Sequence, residues 1–261
     1  MVTQHIKAIF FRHFWPIPRD ISRFTEMIYW PLFDITVFGL LGLWVQEQTN
    51  AAFAIRLIAG LILWQGLVRA HVEVAYSLIE EIWANNLTTI FSTPLRLTEW
   101  FVGVFAVSFI KTVFVFLFAI CMAWLMYDVN LISLGWHLIS FFIALVFCGW
   151  WLSFITLSVI LRFGRRAESL VWVMGWALTP LCGVYYPTRM LPAWAQKISL
   201  IFPQTYLFKN LDMIIITNHA DSGLWLTTIG LIVLFFALGC LCMHSAFTYS
   251  KKLGFTNLAG D

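Results

Sequence analysis

Residues 138–161 read LISFFIALVFCGWWLSFITLSVIL and contain no Asp, Glu, Lys or Arg. A helix of this length crosses the hydrocarbon core of a bilayer, which is about 30 Å thick and needs about 20 apolar residues. Residues 224–247 form a second uncharged run of the same kind. These two runs predict membrane-spanning helices, and with them the fold class of an integral membrane protein.

The composition of the whole chain agrees with this class. Hydrophobic residues make up 61% and charged residues 11%, against about 45–50% and 25% in soluble domains. The 14 Trp and 25 Phe suit spans that end at membrane–water interfaces, where aromatic rings anchor well. All five cysteines lie inside apolar runs, so a disulfide framework is not expected. The first apolar segment begins near Ile28 after a mixed basic stretch, which does not fit a signal peptide.

Six segments in all are apolar enough to be spans. Polar breaks between them let the chain leave lipid and hydrogen-bond to water. The predicted fold is an all-α integral membrane protein with about six transmembrane helices, in a single domain over residues 1–261. The predicted spans are 28–45, 54–79, 100–126, 138–161, 170–187 and 224–247.

Lys and Arg are distributed unequally between the two sides of these spans. With the N-terminus inside, ten of the 16 basic residues are cytoplasmic, four lie on the opposite side, and Arg69 and Lys111 lie within spans. Because short cytoplasmic loops retain positive charge, this distribution predicts that both termini are cytoplasmic. The ten are Lys7, Arg12, Arg19, Arg23, Arg96, Arg162, Arg165, Arg166, Lys251 and Lys252, and the four are Arg56, Arg189, Lys197 and Lys209.

The N-terminal segment 1–25 has the pattern of a short amphipathic helix. Ile6, Ile9, Phe10 and Phe14 share one helical face ahead of the prolines at 16 and 18. This spacing predicts a helix in the cytoplasmic membrane interface, with basic side chains near lipid phosphates. A helix packed on protein is the alternative.

Charged side chains inside the predicted spans are candidates for function, because charge is costly in the membrane. Arg69 and Glu73 stand one helical turn apart and can pair, whereas His71 lies on another face. The favoured interpretation is a structural ion pair, and the alternative is a path for cargo or protons. Lys111 has no partner in its own span. Three interpretations of Lys111 stay open: it snorkels, meets an acid on another helix, or faces a polar cavity, and Asp34 is open to the same three.

No arrangement of residues indicates an enzyme. The chain contains neither a G-x-x-x-x-G-K-[ST] loop nor any Gly-Lys dipeptide, so if ATP drives a function of this protein, another polypeptide binds the ATP. No Ser, His and Asp set indicates catalysis, and no basic module indicates nucleic-acid binding. Cys240 and His244 share a helical face, but Cys242 points elsewhere, so no metal site is expected.

The predicted cytoplasmic segment 80–98 mixes acids, amides and large apolar residues. This composition suits a short helix that sits in a groove of a partner protein. An ordinary interfacial loop is the alternative. The candidate contact residues are Glu80, Glu81, Trp83, Asn85, Asn86, Pro94 and Leu95.

Three short elements follow the fifth predicted span. Residues 183–187 fit G-x-x-[FY]-P, residues 191–194 fit L-P-x-W, and residues 203–206 fit P-x-T-Y. In this order, and together with a Thr-Pro-Leu turn at 93–95, they give a sequence that resembles the type-2 ABC transporter permeases, the transmembrane subunits of exporters.

The resemblance implies roles for both regions. Residues 80–98 would be the coupling segment that receives the motion of a cytoplasmic ATPase. Residues 188–222 would be an external hairpin and loop, whose two short helices re-enter the membrane and help close the exit. The exit hairpin or cargo-path residues would be Tyr185, Tyr186, Pro187, Trp194, Phe202 and Tyr206.

The resemblance also implies partners and a location. The chain would form a homodimer on two ATPase subunits, which bind ATP and Mg, while this chain holds no cofactor. It would lie in the inner (plasma) membrane and export an amphipathic or lipid-linked cargo, such as a lipid-linked glycan, a lipid or a hydrophobic drug.

Two rival functions belong to other classes. An ATP-independent channel or ion-coupled carrier would use Arg69, Glu73 and Lys111 along its pathway. An intramembrane enzyme acting on lipid would need convergent acids or histidines, which the sequence does not offer. A neighbouring gene for an ATPase with a phosphate loop would favour the exporter.

Overall fold

The structure is a computed structural model that describes residues 2–16, 21–46, 51–217 and 219–255. Parts of the predicted segment 1–25, including Arg19, therefore lie outside the described residues. The described residues form helices and turns without a strand, which confirms the all-α class. The helices are α1 (Val2–Phe14), α2 (Ile21–Gln46), α3 (Ala51–Trp83), α4 (Leu87–Ser92), α5 (Leu97–Tyr127), α6 (Trp136–Phe163), α7 (Leu170–Ala177), α8 (Ala193–Ser199), α9 (Pro203–Thr217) and α10 (Ser222–Lys252), with 3-10 turns at Leu131–Leu134, Gly164–Ala167 and Thr188–Met190.

Five helices within the described residues are long and apolar enough to cross a membrane. They coincide with predicted spans one to four and six, and they define a multi-pass membrane protein. The five stretches are Phe24–Val45, Ile55–Trp83, Leu97–Tyr127, Trp136–Ala167 and Ser222–Lys252.

Helix α3 stands at the centre of the bundle and is buried on nearly every side. It packs against α2, α5, α6, α7 and α9, and the large ring of Trp64 is fully buried. Helices α2 and α10 are peripheral and expose large apolar side chains such as Leu40 and Leu241. Such outward-facing surfaces suit lipid or another membrane helix.

One end of the bundle, termed the α4 end, gathers the first and last described residues. Arg12 of α1 donates to the carboxylate of Glu81, near the end of α3, at 2.6 and 2.8 Å. Phe91 of α4 lies 6.3 Å from Phe255, between ring centroids. The first and last described residues therefore lie at the same end of the bundle.

The opposite end, termed the hairpin end, gathers the start of α3 and the residues that precede α10. Arg56 of α3 donates to the carbonyl oxygen of Gly183 at 2.9 Å. Asn210 of α9 exchanges two hydrogen bonds with the backbone of Asp221, at 3.1 and 3.0 Å. Helices α8 and α9 follow one another at this end, and residues 193–217 are termed the α8–α9 hairpin after the role that the sequence predicts for them.

Residues 170–187 do not form the single long helix that the sequence predicts, because only Leu170–Ala177 is α-helical. They nevertheless run the length of the bundle beside α3. Trp83, at one end of α3, donates to the Glu168 carboxylate at 2.8 Å, and Arg56, near the other end, meets Gly183. The chain thus passes from the α4 end to the hairpin end between residues 168 and 183.

The α-helical part of this passage ends at Ala177 because of a proline. Pro180 has no N–H with which to bond the carbonyl of Trp176, and its ring crowds that carbonyl. The Trp176 oxygen instead accepts from the backbone of Thr179 at 3.1 Å. Tighter turns then carry the chain to Gly183.

Candidate functional site

The predicted coupling segment contains one short helix, α4, at the α4 end. The backbone of Asn85 takes a left-handed φ of 52° and turns the chain out of α3. Leu87 and Phe91 anchor α4 in the core, and the Phe91 ring lies 4.6 Å from that of Phe247 in α10. Apolar contacts therefore fix α4 to the body of the protein on one side.

The other side of α4 is open. Thr88, Thr89 and Ser92 are exposed there, as are Trp83 and Pro94 beside the helix. Of the other predicted contact residues, Asn85 is exposed, and Asn86 and Leu95 are half-buried. The segment thus presents a small polar and aromatic surface.

Glu80 and Glu81 were both predicted to contact a partner protein, but neither is fully exposed. Glu81 is buried, with 4% of its surface exposed, and its carboxylate accepts both bonds from Arg12. Glu80 lies beside a small cavity that also borders Glu73 and Lys111. Glu81 therefore holds α1 in place, which removes it from the surface available to a partner.

Helix α1 packs on protein, the alternative that the sequence left open. Its Ile9 is buried against Gly103 of α5, where a Cβ would stand 2.9 Å from Ile9. His5 bonds Glu99 at 2.9 Å, and the ring of His13 meets Trp100 edge-on at 5.9 Å. Lys7 remains exposed. The helix joins α3 and α5 at the α4 end.

Three of the charged residues within the spans form one cluster, termed the ion triad (Arg69, Glu73 and Lys111). Lys111 of α5 donates to Glu73 of α3 at 2.5 Å, and Arg69 donates to the same carboxylate at 3.4 Å. Arg69 also donates to the backbone carbonyl of Glu26 in α2 at 3.2 Å. Lys111 thus meets an acid on another helix, and the triad ties α2, α3 and α5 together.

Other polar side chains within the bundle are also bonded to neighbours. Gln65 donates to the carboxylate of Asp34, joining α3 to α2. His71 is fully buried and bonds Ser153 of α6 at 3.2 Å and the carbonyl of Val171 at 3.0 Å. These bonds satisfy polar groups that would be costly in a low-dielectric interior.

The turn before the hairpin depends on Gly183. Its φ is +79°, and a Cβ would stand 2.8 Å from Thr188, so the glycine of the G-x-x-[FY]-P element has a conformational cause. Arg56 donates to its carbonyl and also to the carboxylate of Asp212 in α9. One guanidinium therefore fastens the turn and α9 to α3, and this set is termed the Arg56 clamp.

The predicted hairpin residues divide into a packed and an open group. Tyr185 stacks on Phe38 of α2, with ring centroids 4.9 Å apart. The hydroxyls of Tyr186 and Tyr206 donate to the carbonyls of Pro180 and Leu200 at 3.0 and 2.9 Å. Pro187 precedes a 3-10 turn, Phe202 is half-buried, and Trp194 is 66% exposed. Only Trp194 stands clearly on the surface.

Sequence reasoning missed the Arg56 clamp and the bond between Asn210 and Asp221. The charge distribution includes Arg56 only among the four basic residues on the side opposite the termini. Arg56 and Asp212 are 156 positions apart, and nothing local in the sequence relates them. The sequence offered one signal for this pair: an arginine near the start of a span, and an acid within a largely apolar segment elsewhere in the chain.

Within the described residues, no group of three or more His, Cys, Asp or Glu side chains has the geometry of a metal site. Cys240 and Cys242 are both exposed on α10 and free. Comparison of the sequence with protein-family models finds no match, and comparison with curated proteins finds none either. The functional interpretation therefore depends on the sequence motifs and the geometry of the chain itself.

Proposed function

We propose that this chain is the membrane-spanning subunit of an ATP-driven ABC exporter that moves an amphipathic or lipid-linked cargo out of the cytoplasm. The α4 end faces the cytoplasm, where α4 binds a separate ATPase subunit that holds ATP and Mg. The passage from residue 168 to 183 is the fifth of six spans, and the α8–α9 hairpin re-enters the membrane from outside.

The observation that carries this proposal is the placement of α4 and the α8–α9 hairpin at opposite ends of one bundle. A device that couples ATP hydrolysis to export needs a contact for the ATPase on one side and a movable closure on the other. Here α3 leads directly into the α4 segment at one end and bears the Arg56 clamp at the other. The motif order in the sequence supports the same assignment.

A second copy of the chain completes the proposed transporter. A two-fold axis would supply paired ATPase contacts and enclose a path between the copies. Exposed Trp194 suits a meeting of the two hairpins, since aromatic rings are favoured at interfaces. The exposed apolar surface of α2 offers a broad contact for the rest of the interface.

The rival function is an ATP-independent channel or ion-coupled carrier that uses the ion triad. Its residues are paired with one another, and the cavity beside Glu73 and Lys111 measures only about 20 Å³. Such a cavity holds about one water molecule. The geometry therefore favours a structural triad over an ion pathway.

The exposed face of α4 provides the test of the exporter proposal. We expect Thr88→Arg with Thr89→Arg to weaken binding of the ATPase encoded by the neighbouring gene by about tenfold or more, because obstructing a central interface contact costs about 2 kcal/mol. The measurement is the affinity of the purified ATPase for the permease in detergent, together with transport-linked ATP hydrolysis.

A matched control places two arginines on exposed sites at the hairpin end, Ser133→Arg with His219→Arg. This variant should bind the ATPase as the unmodified chain does. Wild-type binding by the α4 variant would exclude α4 from the interface, and the lack of any ATPase partner would refute the exporter.

Orientation has its own test. In a variant without the five native cysteines, a cysteine that replaces exposed His219 should react with a membrane-impermeant maleimide added to intact cells. A cysteine that replaces Thr89 should react only after the membrane is opened. The reverse pattern of labelling would place the α4 end outside and contradict the proposed topology.

A further inference from the structure

A cavity of about 150 Å³ lies between α2, α3 and the passage that begins with α7. The cavity is lined by three tryptophans and is termed the indole cavity. They are Trp30, Trp172 and Trp176. Trp30 is 44% exposed and Trp172 is 40% exposed. The cavity is therefore reached from the side of the bundle, between α2 and α7.

Acidic side chains outnumber basic side chains in the lining of the indole cavity. Its lining contains two acids, Glu26 and Asp34, and one base, Arg69, so its formal charge is −1. Asp34 is buried, with 7% of its surface exposed. A carboxylate at that depth favours a ligand that brings a positive charge.

Three of the side chains that donate hydrogen bonds in the lining already have protein partners. Arg69 donates to Glu73 and to the carbonyl of Glu26, and Gln65 donates to Asp34. The indole N–H of Trp172 donates to the hydroxyl of Tyr76 at 2.9 Å. The aromatic rings and the carboxylates of the lining together form a combination that recognises cations better than hydroxyl-rich groups.

The volume agrees with a small cationic group. A cavity of about 150 Å³ accommodates benzene, with six heavy atoms. A trimethylammonium group with its first methylene has five heavy atoms and is of similar size, whereas a sugar ring with its hydroxyls is about twice as large. The lateral opening allows an acyl or alkyl chain to extend into the membrane.

We propose that the indole cavity binds the ammonium group of an amphiphile, with Asp34 as its counter-charge and Trp30, Trp172 and Trp176 as its aromatic walls. Its role as a cargo site rests on the proposed function, whereas binding itself requires only this chain. The ammonium group belongs either to a choline-type lipid headgroup or to a free organic cation.

Binding of radiolabelled decyltrimethylammonium to the full chain in a maltoside detergent tests the proposal. We expect Asp34→Asn to raise the dissociation constant about tenfold, because a charged partner is lost. Trp30→Leu should raise it severalfold through the loss of one ring. Since Trp30 is half exposed, this second variant keeps the test valid should Asp34→Asn fail to fold.

The matched control is Trp44→Leu, which removes an exposed indole of the same helix outside the cavity, and it should leave the affinity unchanged. Choline should displace the probe, whereas its uncharged analogue 3,3-dimethylbutan-1-ol should not. Displacement by dihexanoylphosphatidylcholine identifies a lipid headgroup as the natural source, and displacement by tetraethylammonium without it identifies a free cation.

Equal affinities for the unmodified chain, Asp34→Asn and Trp30→Leu would overturn the proposal, as would equal displacement by choline and its uncharged analogue. This outcome is separable from failure of the exporter proposal. A chain that binds the probe as expected but has no ATPase partner would refute the exporter and leave the site intact.

Discussion

Replacing Glu73 by glutamine should destabilise the protein by about 3–5 kcal/mol, the usual cost of removing one partner from a buried ion pair. The change leaves Lys111 and Arg69 inside the bundle without their shared carboxylate. We expect the melting temperature in detergent to fall by about 10 °C, since 1 kcal/mol shifts a chain of this size by about 2–4 °C.

A second substitution separates charge from packing. Adding Lys111→Met to Glu73→Gln removes one orphaned cation and should recover much of the lost stability. The control is Glu168→Gln, which touches a more exposed hydrogen bond to Trp83 and should cost less than about 1 kcal/mol. A Glu73→Gln variant with unchanged melting temperature and abolished transport would contradict a structural triad and revive the carrier.

Replacing Gly149 by alanine should have a comparable effect through steric overlap. Helix α6 approaches α3 so closely that a Cβ at this position would stand 2.5 Å from the carbonyl oxygen of Leu67 and 2.9 Å from both Ala70 Cβ and His71 N. Two of these are backbone atoms, which cannot give way unless the helices separate. We expect a loss of about 3 kcal/mol, at the upper end for overpacking, measured as a lower melting temperature.

Gly230 of α10 provides the matched control, because a Cβ there would meet nothing within 4 Å. Gly230→Ala should leave stability unchanged or raise it by up to about 1 kcal/mol, since alanine is the better helix former. Equal melting temperatures for the two alanine variants would show that the α3–α6 contact tolerates extra volume.

Hydropathy and charge predicted the parts of the fold that depend on local composition. Five predicted spans coincide with long helices, because lipid demands a continuous apolar segment whatever its neighbours. The predicted length of the α-helix over residues 170–187 was too great, because a hydropathy averaged over many residues does not register the single Pro180. That proline was visible in the sequence and should have predicted a break.

The candidate site was predicted only as separate parts. Arg69 and Glu73 share a helix, so their spacing was informative. Lys111 lies 38 positions from Glu73, and its partner depends on how α5 is rotated against α3, which no local pattern specifies. The indole cavity combines residues from three helices and was missed for the same reason.

The uninterrupted length of α3 has a mechanical consequence. Its 33 residues span about 50 Å at 1.5 Å per residue, with the bond to Arg12 near one end and the Arg56 clamp near the other. Without a proline or similar break, a helix of this length curves gently but does not kink sharply. We therefore expect α3 to act as a lever: a displacement of its end at Glu81 would be transmitted to the Arg56 clamp, so the two ends of the bundle would move together.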